Sequence, residues 1–167
     1  MRSLAFLFLV SFALPTFAKT PDGKQKIVLI AGKPTHPPRM HEFNAGVQIL
    51  AKRLVNVPGL QVEYVLNGWP ADEKVFDGID AVVFYMDGGK KHEVLQGDGS
   101  RKAKVDEWAK KGVGIGCLHY GVTVDPPENG GAEFKRWIGG HMKRGTRAIR
   151  YGNRSLTICR SIQSHVE

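Results

Sequence analysis

The chain is poor in cysteine, with only Cys117 and Cys159 among 167 residues, and this excludes a disulfide framework. It lacks an apolar run of the roughly 20 residues that a bilayer-spanning helix needs. The best candidate, Leu4 to Leu14, is too short. No internal repeat is visible, which argues against solenoids and propellers. No H-x-H or H-E-x-x-H spacing marks a compact zinc motif. Lys and Arg exceed Asp and Glu by 24 to 16, a net charge of +8, but the excess is poorly placed for nucleic acid. From Met142 onward stand six bases (Lys143, Arg144, Arg147, Arg150, Arg154, Arg160) and one acid, Glu167, so the tail carries +5 and the rest +3. The body has no basic stripe with interleaved aromatics, so no nucleic-acid partner is expected.

What is present begins with a leader. Arg2, the apolar run and Thr16-Phe17-Ala18 follow the order of a secretory signal, assigned to residues 1–18. The mature chain is then expected to start near Lys19 in a secreted or periplasmic setting, with no stable membrane insertion. Residues 19–24 make a short linker, 25–141 one domain, and 142–167 a basic tail of different character.

Strands and helices alternate through that domain. Lys26 to Ala31 is a β-rich run closed by Gly32, and the proline-rich stretch to Met40 is loop. Phe43, Val47, Leu50 and Leu54 recur at helical spacing, which predicts an amphipathic helix from Glu42 to about Val55. Gln61 to Leu66 is a second strand, Ala71 to Phe76 a short helix, and Ala81 to Met86 a third, buried strand. A further helix ends over Val105 to Lys111, and a fourth strand runs from Val113 to Leu118. Phe134 to Ile138 starts another helix, ended by Gly139-Gly140. This order predicts an α/β fold with a parallel sheet and helices on both faces.

The fourth strand carries the most specific signal. Gly112 to Gly121 is an apolar run with small residues, expected as a central strand, and Cys117-x-His119-x-Gly121 has the spacing of a nucleophile elbow. The apex is an imidazole rather than Ser or Cys, which argues against covalent acyl transfer. Cys117 itself is expected to be a small buried hydrophobe.

Ligands of such sheets bind beyond the carboxyl ends of the strands. His36 and His41 follow the first strand, Asp87 and His92 the third, and His119 and Tyr120 the fourth; His141 lies beyond the last helix. His119 is expected to act as general base or metal ligand, an imidazole titrating near neutral pH, or else to hydrogen-bond its neighbouring loops. His41 and Glu42 stand at a helix start that favours anions, where Glu42 also suits a capping role. Asp87 suits orienting a histidine, binding sugar hydroxyls, or closing its own turn. His36 suits substrate or metal. His92 lies in a polar loop as a further substrate contact. Tyr120 and Trp69 suit stacking on a sugar ring or simple burial, and His141 completes the substrate-binding set. His36, His41 and His119 are the metal candidates, zinc with an open position being the expected form.

Six ordered blocks resemble one family. They are Lys26 to His36, His41 to Gly46, Asn67-Gly68-Trp69-Pro70, Phe84 to Gly89, Gly116 to Tyr120, and Trp137 to His141. Together they resemble the ThuA-like (trehalose-utilisation) family of the class I glutamine amidotransferase-like superfamily. The resemblance implies a flavodoxin-like fold without the amidotransferase cysteine, and a loose link to sugar metabolism, often in secreted proteins.

The resemblance stops after His141, where the family continues with a segment like H-Y-E-x-G-Y-x-x-N-P-x-W and then L-P-K-H-P-V-T-R-G. Back-translating Met142 to Glu167, with wobble bases free and the frame moved by one base, yields Y-E-A-G-Y-S-C-N-P-L-W-K-P-I-F-D-H-L-P-K-H-P-V-T-R-G. The expectation is therefore a frame shift just after His141 and a sheet incomplete at its C-terminal end. Sequencing the locus and finding the present frame continuous through a stop after Glu167 overturns this reading.

The functional expectation is a secreted ThuA-like domain acting on, or binding, a small carbohydrate derivative. If catalytic, it works by acid–base or metal-assisted chemistry with His119, His41, Glu42 and Asp87, and not as an amidotransferase. The alternatives are a non-catalytic sugar- or partner-binding module and a non-functional truncated product. Oligomeric state is left open.

Overall fold

Four short runs build the sheet in a computed structural model of the chain, which describes residues 23–143 and the backbone of 150–151. They are β1 (Gln25–Ala31), β2 (Leu60–Val65), β3 (Ala81–Tyr85) and β4 (Gly114–Leu118), all parallel, in the order β2-β1-β3-β4. Parallel strands covered on both faces read as continuous apolar runs. In β1, Val28, Leu29, Ile30 and Ala31 are all buried.

The covering helices explain that burial. The first, α1 (Phe43–Leu54), turns Phe43, Val47 and Ala51 onto Leu29 and Ala31, with Val83 and Tyr85 packed beside them. On the opposite face lie α2 (Ser100–Lys110) and α3 (Gly131–Ile138). There Val105 and Trp108 of α2 meet Val28, Ile30, Val82 and Phe84, and Trp137 of α3 packs against the same group. The α/β fold with helices on both faces is thus as expected, and its strand order is that of a flavodoxin-like sheet. Gly139 ends α3 in the left-handed conformation, at φ 82°, a glycine's usual role there. The stretch before β3 is a short 3-10 turn, Glu73–Phe76, rather than a helix from Ala71.

The strand order creates the site. From β1 the chain crosses through α1 to β2 on one side, and then returns to β3 on the other. Between β1 and β3 the winding reverses, and it is beyond the carboxyl ends of the strands at such a point that sheets of this kind bind ligands. At this point the backbones run close: the Gly32 N–H donates to the Tyr85 carbonyl over 3.0 Å. A Cβ on Gly32 would stand 2.4 Å from Cβ of Met86, so only glycine fits.

One strand differs from its expected place. β4 is the outermost strand among the described residues, not a central one. Its middle residues are only half-buried, and Leu118 is exposed. Helix cover gives an outer strand the same apolar run as a central one, so the run alone could not separate the two.

After α3, Gly140–His141 (β5) pairs antiparallel with Arg150–Tyr151 (β6), and Met142 bridges to Thr123. The leader, most of the linker, and the tail beyond Lys143 apart from that short backbone pairing lie outside the described residues, Cys159 and His165 among them. Among the described residues no helix is long and apolar enough to cross a membrane.

Candidate functional site

Two turns bring histidines together at this end of the sheet. His41, just before α1, has φ +52°, and His119, directly after β4, has φ +57°. Non-glycine residues reach this left-handed region at about 1 kcal/mol or more, and such strain gathers where packing over-determines it. Packing does so here. A Cβ on Gly121 would lie 3.1 Å from the Phe84 carbonyl oxygen, and one on Gly88 would lie 2.3 Å from the Tyr120 carbonyl oxygen. The β3 and β4 exits therefore press on each other through glycines, and the elbow has no room to relax.

At the apex, His41 Nδ1 and His119 Nε2 are 3.1 Å apart, with the rings edge to face at 77° and 4.6 Å between centroids. His36 lies against His41 at 4.2 Å between centroids. Tyr120 meets His119 edge-on at 4.5 Å and His41 at 5.7 Å. Partial burial and the neighbouring His41 hold the His119 pKa below the ordinary histidine value; Asp87 opposes this and His36 adds to it. His119 is therefore mostly neutral at pH 7.

Asp87 closes the far side of the cluster. Its Oδ1 accepts the Gly88 N–H over 3.0 Å, and Lys91 Nζ lies 3.6 Å from Oδ2. Burial pushes its carboxyl up, but the hydroxyl of Thr35, the Gly88 N–H, Lys91 and His36 outweigh it and leave the pKa lowered. Asp87 is thus ionised at neutral pH, and Thr35 Oγ1 lies 2.9 Å from His36 Nδ1.

Other expected members stand elsewhere. Glu42 does not cap α1 with its side chain; its carboxylate accepts the backbone N–H of Arg39. Trp69 is not offered to a ligand. It stacks on Trp108 at 6.0 Å and 13°, contacts Phe76, donates to Glu73, and carries Arg101 over its ring. His92 was expected in an open polar loop, but it is fully buried at 0 % exposure, between Phe84 and Phe134. The polar residues around it in sequence gave no sign of that packing. His141 lies in β5 against the start of α3, where a Cβ on Gly131 would be 2.8 Å from its Nε2; its Nδ1 is buried without a hydrogen-bond partner among the described residues.

The three metal candidates adjoin one another, yet no group of three or more His, Cys, Asp or Glu among the described residues is arranged to hold a metal ion. Two of the nitrogens that would ligate face each other at 3.1 Å. The Cys117 thiol is pushed up to about 12 by burial, which makes it a poor nucleophile.

Two positioning pairs escaped the sequence. Asn44, in the first turn of α1, donates to Asn67 Oδ1 over 2.7 Å and accepts the Asn67 N–H over 3.1 Å, fastening the start of α1 to the exit of β2. Thr35 is the other, hidden because a threonine in a loop carries no signal until its partners are known. No family model, curated protein or solved structure matches the chain.

Proposed function

We propose that this chain is a secreted ThuA-like domain whose His41–His119 pair transfers protons on a small carbohydrate derivative. The supporting observation is the 3.1 Å contact between the two rings. With both imidazoles neutral, one N–H lies between them. Whichever ring donates it, the other two nitrogens, His41 Nε2 and His119 Nδ1, divide into one N–H and one lone pair. In that state the pair offers an acid and a base together, as proton transfer between sugar carbons and oxygens requires. Tyr120, 40 % exposed beside both rings, supplies an aromatic face for a sugar ring. No covalent enzyme intermediate is needed.

The test is to incubate the purified chain with aldoses, ketoses and disaccharides in D2O and follow deuterium uptake and product formation by NMR. His119→Gln and His41→Gln should each lower turnover by about 100-fold or more with sugar binding retained. An added proton fills both outer nitrogens and removes the base. Because the His119 pKa is lowered, turnover should fall with decreasing pH only below the ordinary histidine value of about 6.5. Turnover undiminished in both variants sinks the proposal.

A second reading has its own observation. Met40, Leu118 and Tyr120 are exposed around the histidines, and such an apolar rim also suits a non-catalytic binding module. Binding that survives both substitutions, with no turnover in the parent chain, selects that reading.

A further inference from the structure

Four aromatic rings close a circuit that includes the histidine pair. Between centroids, His41 and His119 are 4.6 Å apart, His119 and Tyr85 6.2 Å, Tyr85 and Phe43 5.3 Å, and Phe43 and His41 6.4 Å. Phe43 opens α1 and is buried; Tyr85 ends β3, the strand between β1 and β4. Tyr120 touches both histidines as well, but it follows His119 in the elbow and moves with it. Tyr85 belongs to the sheet.

One residue of α1 gives up its side chain to this circuit. Gly46 lies inside the helix, where alanine is the better former. Its φ is not left-handed, so backbone conformation does not call for glycine. Space does. A Cβ there would stand 2.1 Å from Cε1 and 2.8 Å from Cδ1 of Tyr85, whereas carbons rest at roughly 3.5–4.0 Å. The ring is a rigid plate and cannot fold aside as a long flexible chain does. Its backbone is tied too: the Tyr85 carbonyl accepts the Gly32 N–H over 3.0 Å, and Tyr85 is in register with Ala31 and Leu118.

We infer that Tyr85, seated on Gly46, is a positioning residue that sets the separation of His41 and His119. The start of α1 carries His41, the exit of β4 carries His119, and the Tyr85 ring is wedged between the two elements. If the ring is forced off Gly46, either it advances on His119 or α1 retreats from the sheet and takes His41 with it. The two imidazoles part in both cases. The catalytic half of this inference rests on the proton-transfer reading; the wedge does not.

The experiment is nuclear Overhauser spectroscopy on the full chain, read at the carbon-bound ring protons of His41 and His119, with turnover measured in parallel. The parent should show a cross-peak between the two rings. Gly46→Ala should abolish it in folded protein. For any sugar the parent converts, Gly46→Ala should also lower kcat by about 100-fold with KM unchanged, the cost of a misplacement of about 1 Å. Adding Tyr85→Leu to Gly46→Ala trades the plate for a smaller, flexible side chain and should return part of both signals. Tyr85→Phe keeps the plate and should keep the cross-peak, while Tyr85→Ala should lose it. The signals of buried His92 report whether each variant has folded, and if Gly46→Ala does not fold, the two single Tyr85 variants carry the test. A parent without the cross-peak, a folded Gly46→Ala or Tyr85→Ala that retains it, or a Tyr85→Phe that loses it overturns the inference. Loss of the cross-peak with kcat unchanged overturns its catalytic half. The carbohydrate reading fails separately, through a parent that converts no sugar while the cross-peaks follow the wedge.

Discussion

Histidines at this end of the sheet live in two environments. His36, His41 and His119 touch in series at the surface, and two of them sit on left-handed backbone. His92 is sealed beneath them. Its Nδ1 accepts the Val94 N–H over 3.2 Å, so its Nε2 must bear the proton it gives to the Gly121 carbonyl over 3.0 Å. Both nitrogens are assigned, and nothing remains for a ligand. Yet Gly121 is two residues from His119, so the buried ring is a strut beneath the elbow that holds the exposed ones. Under the proposed function the same side chain is reagent in one place and scaffold in the other, and the difference lies in which of its nitrogens are already occupied.

Removing the strut should have the largest effect. His92→Ala opens a cavity and leaves a buried carbonyl and a buried N–H unpaired, at about 4 kcal/mol of stability. His36→Ala, at the half-exposed rim, should change stability by about 1 kcal/mol or less. Urea denaturation of both variants measures the contrast, and equal losses would break the comparison.

Acid probes the same strut more gently. Burial lowers the His92 pKa from 6.5 to about 4, against a smaller opposing pull from the Gly121 carbonyl. A histidine depressed in the folded state contributes stability that is complete above its unfolded pKa. The unfolded chain gains a proton below that value and the folded chain does not, so stability falls as pH drops from 6.5 toward 4. The loss over that window should approach about 3 kcal/mol. Titrating stability from pH 7 to pH 4 checks it. His92→Gln, which keeps a donor and an acceptor but cannot ionise, should flatten that window; a slope that persists in it assigns the effect to other groups.

These contrasts also mark what could be taken from the residues alone. The β1 run and the helical spacing of Phe43, Val47 and Leu54 report burial directly, because burial is what sets apolar periodicity. The elbow was legible because Cys117 and Gly121 flank His119 at the spacing a sharp turn requires. His92 was not: its neighbours Lys90, Lys91 and Glu93 suggest solvent, while its partners Phe84, Phe134 and Gly121 come from distant parts of the chain. For Trp69 the residues alone left stacking and burial both open, since Trp108 and Phe76 hold its ring through tertiary packing. The outer position of β4 was hidden because a strand's apolar run reports cover on its faces and is silent about its edges.

The smallest effect separates the two environments by backbone alone. At most positions glycine is less stable than alanine by roughly 0.5–1 kcal/mol, having more freedom to lose. At His41 and His119, with φ +52° and +57°, a Cβ is strained and glycine is not, so the order should invert. His119→Gly should exceed His119→Ala in stability by about 1 kcal/mol, and His41 should behave alike, although all four variants lose the imidazole pair. Denaturation midpoints of the two Ala/Gly pairs measure this independently of any ligand. If alanine proves the more stable at both positions, the turns are not held left-handed in solution, and the strained approach of His41 to His119 loses its support. If glycine is favoured at both, the fold is maintaining that contact against local backbone preference, and the rim differs from the strut in what holds it as well as in what it offers.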